Sequence, residues 1–298
     1  MHLLVPTILA DLSPAVAIGM LAAMSCAFDF CVCVDDAVED AILAELEQLG
    51  VGLELQSYGL EGVASPERWD AKLDRHREIA GRFSGRRVVH GPFLGLVYFY
   101  RDHLLADAVQ QRLDRTFEVA GQLEPATLVM HTNWKLDHAA LGLDDVWLAE
   151  TAAFWKREVA RYEELGVIVA MENLLEPTPE LMNACCDRVA SDCFRLCLDV
   201  GHVNVWSELP HAEWVARMGK RLAHVHVHDN DGTADQHRPP GQGTIDFDAL
   251  FDAFDQHLDR VTVSLELEAP DEVKLESLRD LIVRFGRQIS DPVSAALR

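Results

Sequence analysis

The 298-residue sequence predicts an α/β protein, a closed (β/α)8 TIM barrel in a single domain spanning residues 1–298, on three observations. Short Val/Ile/Leu-rich runs alternate with amphipathic helical stretches, the pattern of a parallel sheet covered by helices. Counted back from the C-terminus, the runs give seven β/α units from VGLELQSY onward plus one or two earlier strands, and eight strands close a barrel. No glycine-rich phosphate loop follows any strand, which disfavours the runner-up architecture, an open doubly wound sheet.

Residues 2–10 read as a strand, 14–24 as a small-residue helix, and FDFCVCV (28–34) as a second strand. Either HLLVPTIL or FDFCVCV is the first barrel strand. DDAVEDAILAELEQLG forms an amphipathic helix ended by Gly50, because glycine adopts the left-handed conformation that stops a helix. VGLELQSY (51–58) is a strand, and Ser65-Pro66-Glu67 opens a helix reaching about Phe83. RRVVHGPF (86–93) is a strand stopped by Gly91-Pro92, followed by a helix over about 102–123. TLVMHTN (127–133) is a strand and 146–165 a helix capped by Gly166. VIVAMEN (167–173) leads to Thr178-Pro179-Glu180, where proline fits the first helical turn. FRLCLDV (194–200), a helix over 210–218, LAHVHVHD (222–229), a helix over 245–257, VTVSLELE (261–268) and a helix over 271–287 complete the chain.

Forty-nine acidic residues against 26 basic ones give a net charge of −23, a field that repels phosphate backbones and attracts divalent cations. A nucleic-acid partner is therefore disfavoured. The N-terminus lacks a basic region and carries Asp11, Pro14 and Asp29, so neither a signal peptide nor a membrane span is expected. Seven cysteines in apolar stretches, without a paired zinc-ribbon spacing, read as buried thiols in a reducing, cytoplasmic compartment.

Residues 222–247 are the densest polar stretch. Side chains two apart on a strand share a face, so His224, His226 and His228 point the same way. Asp235 and His237 repeat that spacing in the following Gly/Pro loop. An isolated histidine is normally a satisfied core or surface residue, but four with three nearby aspartates suit a metal site. Each of the last six strands also carries such a residue at or just past its C-terminal end: His90, His131, Glu172, Asp199 with His202, His226, and Glu266 or Glu268. In a parallel barrel those ends converge on the face where active sites form. Mixed carboxylates and imidazoles suit Zn, Mn, Co or Fe better than Ca or Mg alone. Glu172, Asp199, His226 and Glu266 would make one divalent site. His202, Asp235 and His237 can close a second, and His90 with His131 a third, giving one to three ions. No basic cluster is evident near the strand ends, since Arg86 and Arg87 lie at a strand start and Arg238 in the loop; this disfavours a phosphorylated substrate.

VVHGPF, VMHTN, VAMEN, LCLDVGH, HVHVHDNDGTADQH with PGQGTIDF, and SLELE, in this order over about residues 51–290, resemble the xylose isomerase-like TIM-barrel superfamily. That superfamily includes sugar phosphate isomerases/epimerases and endonuclease IV. Resemblance to its ketose epimerases implies that Glu172, Asp199, His226 and Glu266 bind one divalent ion, often Mn or Co. It implies that Glu172 and Glu266 shuttle a proton through an enediolate while His202 contacts the substrate. In such a mechanism His237 and His202 would orient hydroxyls or hold a second ion. Resemblance to endonuclease IV implies nine ligands for three zinc ions: His90, His131, Glu172, Asp199, His202, His226, Asp235, His237 and Glu266. Glu268 competes for the last place. HVHDND departs from the endonuclease IV tripeptide, and HGPFLGL replaces its DNA-inserting loop. The resemblance thus implies a metal-dependent isomerase or epimerase of a small sugar, keto-sugar or polyol. The alternative is a multinuclear zinc phosphoesterase cleaving DNA at abasic sites. A homo-oligomer is compatible with either.

Overall fold

FDFCVCV supplies the first barrel strand. In the computed structural model, which describes residues 26–58, 66–98 and 102–286, β1 (Ala27–Val34) pairs in parallel with both β2 (Gly52–Leu55) and β8 (Arg260–Leu265). Between them β3 (Arg87–His90), β4 (Thr127–His131), β5 (Ile168–Glu172), β6 (Phe194–Asp199) and β7 (Leu222–Val227) follow in sequence order, and the sheet closes without an edge. The strand expected at 2–10 and the helix at 14–24 lie outside the described residues.

The helices run α1 (Asp40–Leu49), α2 (Pro66–Arg82), α3 (His103–Leu123), α4 (Leu136–Ala140), α5 (Asp144–Leu165), α6 (Glu180–Val189), α7 (Val200–Trp206), α8 (His211–Met218), α9 (Phe247–His257) and α10 (Asp271–Phe285). Gly50 and Gly166 end α1 and α5 at φ of 67° and 68°, the left-handed caps that the sequence predicts. α1 starts later than its periodicity suggests because its leading acids are engaged elsewhere. Asp35 folds back to accept from the Ala37 amide at 2.8 Å, and Asp36 accepts from Ser57 and Lys72 at the barrel mouth. The short helices α4 and α7 fall in stretches without a periodic apolar pattern. α7 forms because Asp199, the last residue of β6, caps it by accepting from the His202 amide at 2.7 Å.

Two apolar layers hold the barrel. The outer one, between strands and helices, buries Trp147, Trp155, Trp214, Phe194 and Phe254 completely. The inner one is a floor of Cys31, Val88, Val129, Ala170 and Cys197, whose small side chains leave the volume above them to larger polar groups. All seven cysteines are free and all but Cys193 are buried. Burial pushes the Cys185 thiol up to about 12, so it stays protonated and inert. Among the described residues, no helix is long and apolar enough to cross a membrane.

Phe194 lies at the strand starts, packed 5.5 Å from Trp155 and far from the polar end of its own strand. Phe194→Ala is expected to lower unfolding free energy by about 3–5 kcal/mol, the usual cost of emptying a buried aromatic site. Urea melts would show it. A loss below about 1 kcal/mol would mean that this layer is not the close-packed one described.

Candidate functional site

Parallel register sets the polar residues side by side. His131 on β4 pairs with Glu172 on β5, and Asp199 on β6 with His226 on β7. His90 ends β3, and Glu266 follows directly after β8, its amide donating to Val227 O at 3.1 Å. The cap that starts α7 brings His202 over Asp199. The loop after β7 is organised by Asp229, a fully buried residue whose carboxylate accepts from the amides of Asn230, Gly241 and Gly243 at 2.9, 2.9 and 2.8 Å. Gly243 must be glycine: a Cβ there would fall 2.2 Å from both Asp229 Oδ1 and Asn230 O. The backbone pairing of Asp229 with Arg238 folds the loop back, and His237 takes a left-handed φ of 44°. Asp235 and His237 are thereby turned inward.

All nine residues expected as metal ligands meet in this region. Glu172 Oε2 lies 3.2 Å from His90 Nε2 and 3.3 Å from His131 Nε2, and its Oε1 lies 3.4 Å from His226 Nδ1. His226 Nδ1 is also 3.1 Å from Glu266 Oε2 and 3.8 Å from Asp199 Oδ2. Asp235 Oδ2 lies 2.9 Å from His237 Nε2 and 3.2 Å from His202 Nε2. Glu266 faces the cluster, whereas Glu268 is exposed at the rim. His90, His131, Glu172, His202, Asp235, His237 and Glu266 line a pocket of about 580 Å³ whose far wall is formed by Asp36, Gln56, Ser57, Lys72 and Lys274, while Asp199 and His226 lie fully buried behind that lining. The two lysines come from α2 and α10, so tertiary structure supplies cations that strand-end reading misses.

Four histidines share one construction. Each has one nitrogen tied to a fixed group while the other points at a carboxylate. The tied nitrogens are His90 Nδ1 to Gly91 O (2.8 Å), His202 Nδ1 to Asn173 O (2.7 Å), His237 Nδ1 to Glu266 O (3.3 Å) and His226 Nε2 to Glu54 (2.9 Å). An anchored imidazole has a fixed tautomer and ring orientation, the arrangement that surrounds ligating histidines in metal centres. His226 Nδ1, fully buried and aimed at three carboxylates, makes no hydrogen bond of its own.

The electrostatics follow from crowding. Burial opposes charge on His202, but Asp199 and then Asp235 outweigh it and lift its pKa to about 10. Burial likewise opposes charge on His237, and Asp235 and Glu266 raise it to about 9. Burial would raise Glu172 and Glu266, yet the neighbouring histidines hold both below the ordinary carboxylate range. His131 is lowered, burial prevailing over Glu172.

Three further residues belong to this cluster. Glu54, fully buried on β2, accepts from His224 Nε2 and His226 Nε2 at 2.9 Å each. His228, also fully buried, lies 3.1 and 3.0 Å from the two oxygens of Asp199 through Nε2. The signal for Glu54 was an acid in the middle of the apolar run VGLEL, where a buried charge needs a partner.

Burial would raise the Glu54 pKa, but His226 and His224 hold it well below the ordinary 4.5. A carboxylate lowered in the folded state contributes stability that is complete above 4.5 and is lost as pH falls toward the folded value. Glu54→Gln should cost about 3 kcal/mol at neutral pH, the scale for removing one member of a buried pair. The gap between wild-type and variant stability should narrow below pH 4.5. Urea unfolding from about pH 7 to 3 measures this, and parallel curves would contradict the assignment.

Comparison with known proteins agrees with the fold. The family model described as the xylose isomerase-like TIM barrel matches residues 53–284. MJ1311, an uncharacterised protein of Methanocaldococcus jannaschii, is 24% identical over 177 residues, 57% of this chain and 60% of that relative, so the chain spans under two thirds of its length. The TTHB071 protein of Thermus thermophilus, in crystals soaked with ZnCl2, superposes with a TM-score of 0.67 at 26% identity, covering 85% of this chain and 97% of that one. A D-tagatose 3-epimerase-like protein superposes with a TM-score of 0.70 at 20% identity, covering 86% and 96%, a likeness of fold. Matched from its second barrel strand to its last helix, this chain belongs to the xylose isomerase-like TIM-barrel family.

Proposed function

We propose that this protein is a divalent-metal-dependent isomerase or epimerase of a small keto-sugar or polyol. The observation that carries the reading is the buried Nδ1 of His226, without a hydrogen bond and within 3.1–3.8 Å of Glu266, Glu172 and Asp199. One imidazole and three carboxylates so close crowd negative charge around a single nitrogen, an arrangement that a bound cation would relieve. Their donor set fits Zn, Mn or Co. Glu172, Asp199, His226 and Glu266 would hold the ion; the zinc-soaked Thermus relative and the epimerase-like neighbour support this reading.

When bound, such an ion polarises a substrate carbonyl and offsets the charge of an enediolate. Glu172 and Glu266 come from β5 and the end of β8, separated in the barrel by β6 and β7; both line the pocket and flank His226 Nδ1 at 3.4 and 3.1 Å. One carboxylate takes the α-proton from the face it meets. The other, after accepting a proton from a substrate hydroxyl or solvent, returns it to the opposite face. Gln56 donates to Glu266 Oε1 and holds that carboxylate in place. His202 and His237 face the same pocket and orient hydroxyls or hold a further ion.

A second reading, a multinuclear zinc phosphoesterase acting at abasic sites in DNA, is favoured by one observation. His90 and His131 share Glu172 Oε2, and His202 and His237 share Asp235 Oδ2. The net charge of −23 weighs against DNA. Zinc-dependent nicking of an abasic duplex, with no turnover on a keto-sugar panel, would replace the first reading by this one.

Glu172→Gln should remain folded and lower turnover on the sugar panel by at least about a hundredfold, the scale of lost acid–base catalysis. Retained activity would count against a proton-transfer role. Ion uptake should also release protons. His202 and His237, with pKa values of about 10 and about 9, are protonated at pH 7 and must lose their protons to serve as ligands. Apparent affinity should therefore rise with pH from about 7 through 9. Zinc calorimetry in buffers of differing ionisation enthalpy measures the release, and a pH-independent affinity would exclude these histidines as ligands.

A further inference from the structure

His228 stands between the two groups of candidate ligands and touches both. Its ring is fully buried. Nε2 donates to Asp199, approaching the two carboxylate oxygens at 3.1 and 3.0 Å. One face lies flat on His237, with ring centroids 3.9 Å apart and planes 6° from parallel. Nδ1 is 3.8 Å from Asp235 Oδ1, and neither atom has a hydrogen-bond partner. Room for the ring comes from Gly201, where a Cβ would fall 1.9 Å from His228 Cε1.

Stacking decides the role. An imidazole lone pair lies in its ring plane, so two parallel rings 3.9 Å apart cannot both aim at one ion. His237 Nε2 is already directed, with His202 Nε2, at Asp235 Oδ2. His228 therefore supports the ligands of the loop rather than joining them. We propose that His228 is a positioning residue that fastens the Asp235–His237 loop to Asp199, so that an ion held by His202, Asp235 and His237 depends on it. Loop docking then requires no contact from the ion itself. Lost outer partners of metal ligands weaken binding by about ten- to a hundredfold.

The inference rests on the reading that the pocket binds divalent ions, and the experiment separates the two. Full-length protein, stripped of metal, is titrated with ZnCl2 by calorimetry and with CoCl2 by visible absorption. Asp235→Asn identifies the step that belongs to the loop. His228→Asn, too short to reach Asp199 and unable to stack, should weaken that step about ten- to a hundredfold and alter its cobalt spectrum. Gly201→Ala, which displaces the ring without changing a donor atom, should do the same. It decides the matter should His228→Asn not fold. Wild-type affinity and spectrum for the loop step in a folded variant would overturn the inference and leave the metal reading intact. A wild-type protein with one ion and no step sensitive to Asp235→Asn would overturn it too. Failure to bind any ion would overturn both.

Discussion

The cost of placing carboxylates inside a barrel governs this structure. Glu54, Glu172 and Asp199 are all buried in its interior or at the strand ends. An isolated carboxylate in such surroundings would lose hydration worth several kcal/mol, so each must be met by donors or cations. Histidines meet them, and those histidines are held in turn: His226 by Glu54, His202 by Asn173 O, His90 by Gly91 O. Glu54 ties His224 and His226 together at 2.9 Å each, linking the interior of the barrel to the ligand-like atoms at the strand ends. Because each imidazole is fixed from behind, its forward nitrogen has little freedom to turn away from the pocket. Such preorganisation lowers the entropy lost when an ion or substrate arrives.

Backbone devices deliver these side chains. Parallel pairing places Asp199 beside His226 without a loop residue intervening. The same Asp199 ends a strand, caps a helix and receives His228, so one residue serves three structural purposes. The loop after β7 carries its candidate ligands on a frame of amides bonded to Asp229, which explains why a segment with several glycines is held to one shape. Substitution of Asp229 would act on Asp235 and His237 indirectly, through the backbone.

Much of this was legible in the sequence, for a physical reason. A parallel barrel needs near-continuous apolar strands, so an ionisable residue at a strand end stands out, and eight strands leave one face where such residues can converge. His90, His131, Glu172, Asp199, His226 and Glu266 were visible in that way. Glu266 could not be separated from Glu268 because strand alternation places both on one face; the strand ends at Leu265, and only Glu266 turns inward. Glu54 was less visible, since it lies within its strand and its partners are 170 and 172 residues away. The support given by His228 depends on ring stacking and on space above Gly201, neither of which has a sequence period. Lys72 and Lys274 come from helices, whose inward faces depend on how each helix leans on the barrel.

The far wall of the pocket narrows the proposed substrate class. Lys72 is paired with Asp36 at 2.8 Å and Lys274 with Asp271 at 3.3 Å, so both cations are already neutralised by carboxylates. Asp36 belongs to a chain of hydrogen bonds that runs into the protein. Burial lowers the His76 pKa to about 4, so the ring is neutral; Tyr58 donates to its Nδ1, its Nε2–H donates to Ser57 at 3.2 Å, and Ser57 donates to Asp36 at 2.7 Å. A wall of this kind offers oriented donors and acceptors without a surplus of positive charge. It suits hydroxyl groups, which exchange one set of hydrogen bonds for another at little cost, better than a phosphate, which would need an unshared cation. The electrostatic balance of this wall and the carboxylate-rich centre facing it thus lead to the same proposed ligand, an uncharged polyhydroxylated molecule gripped at one end by an ion.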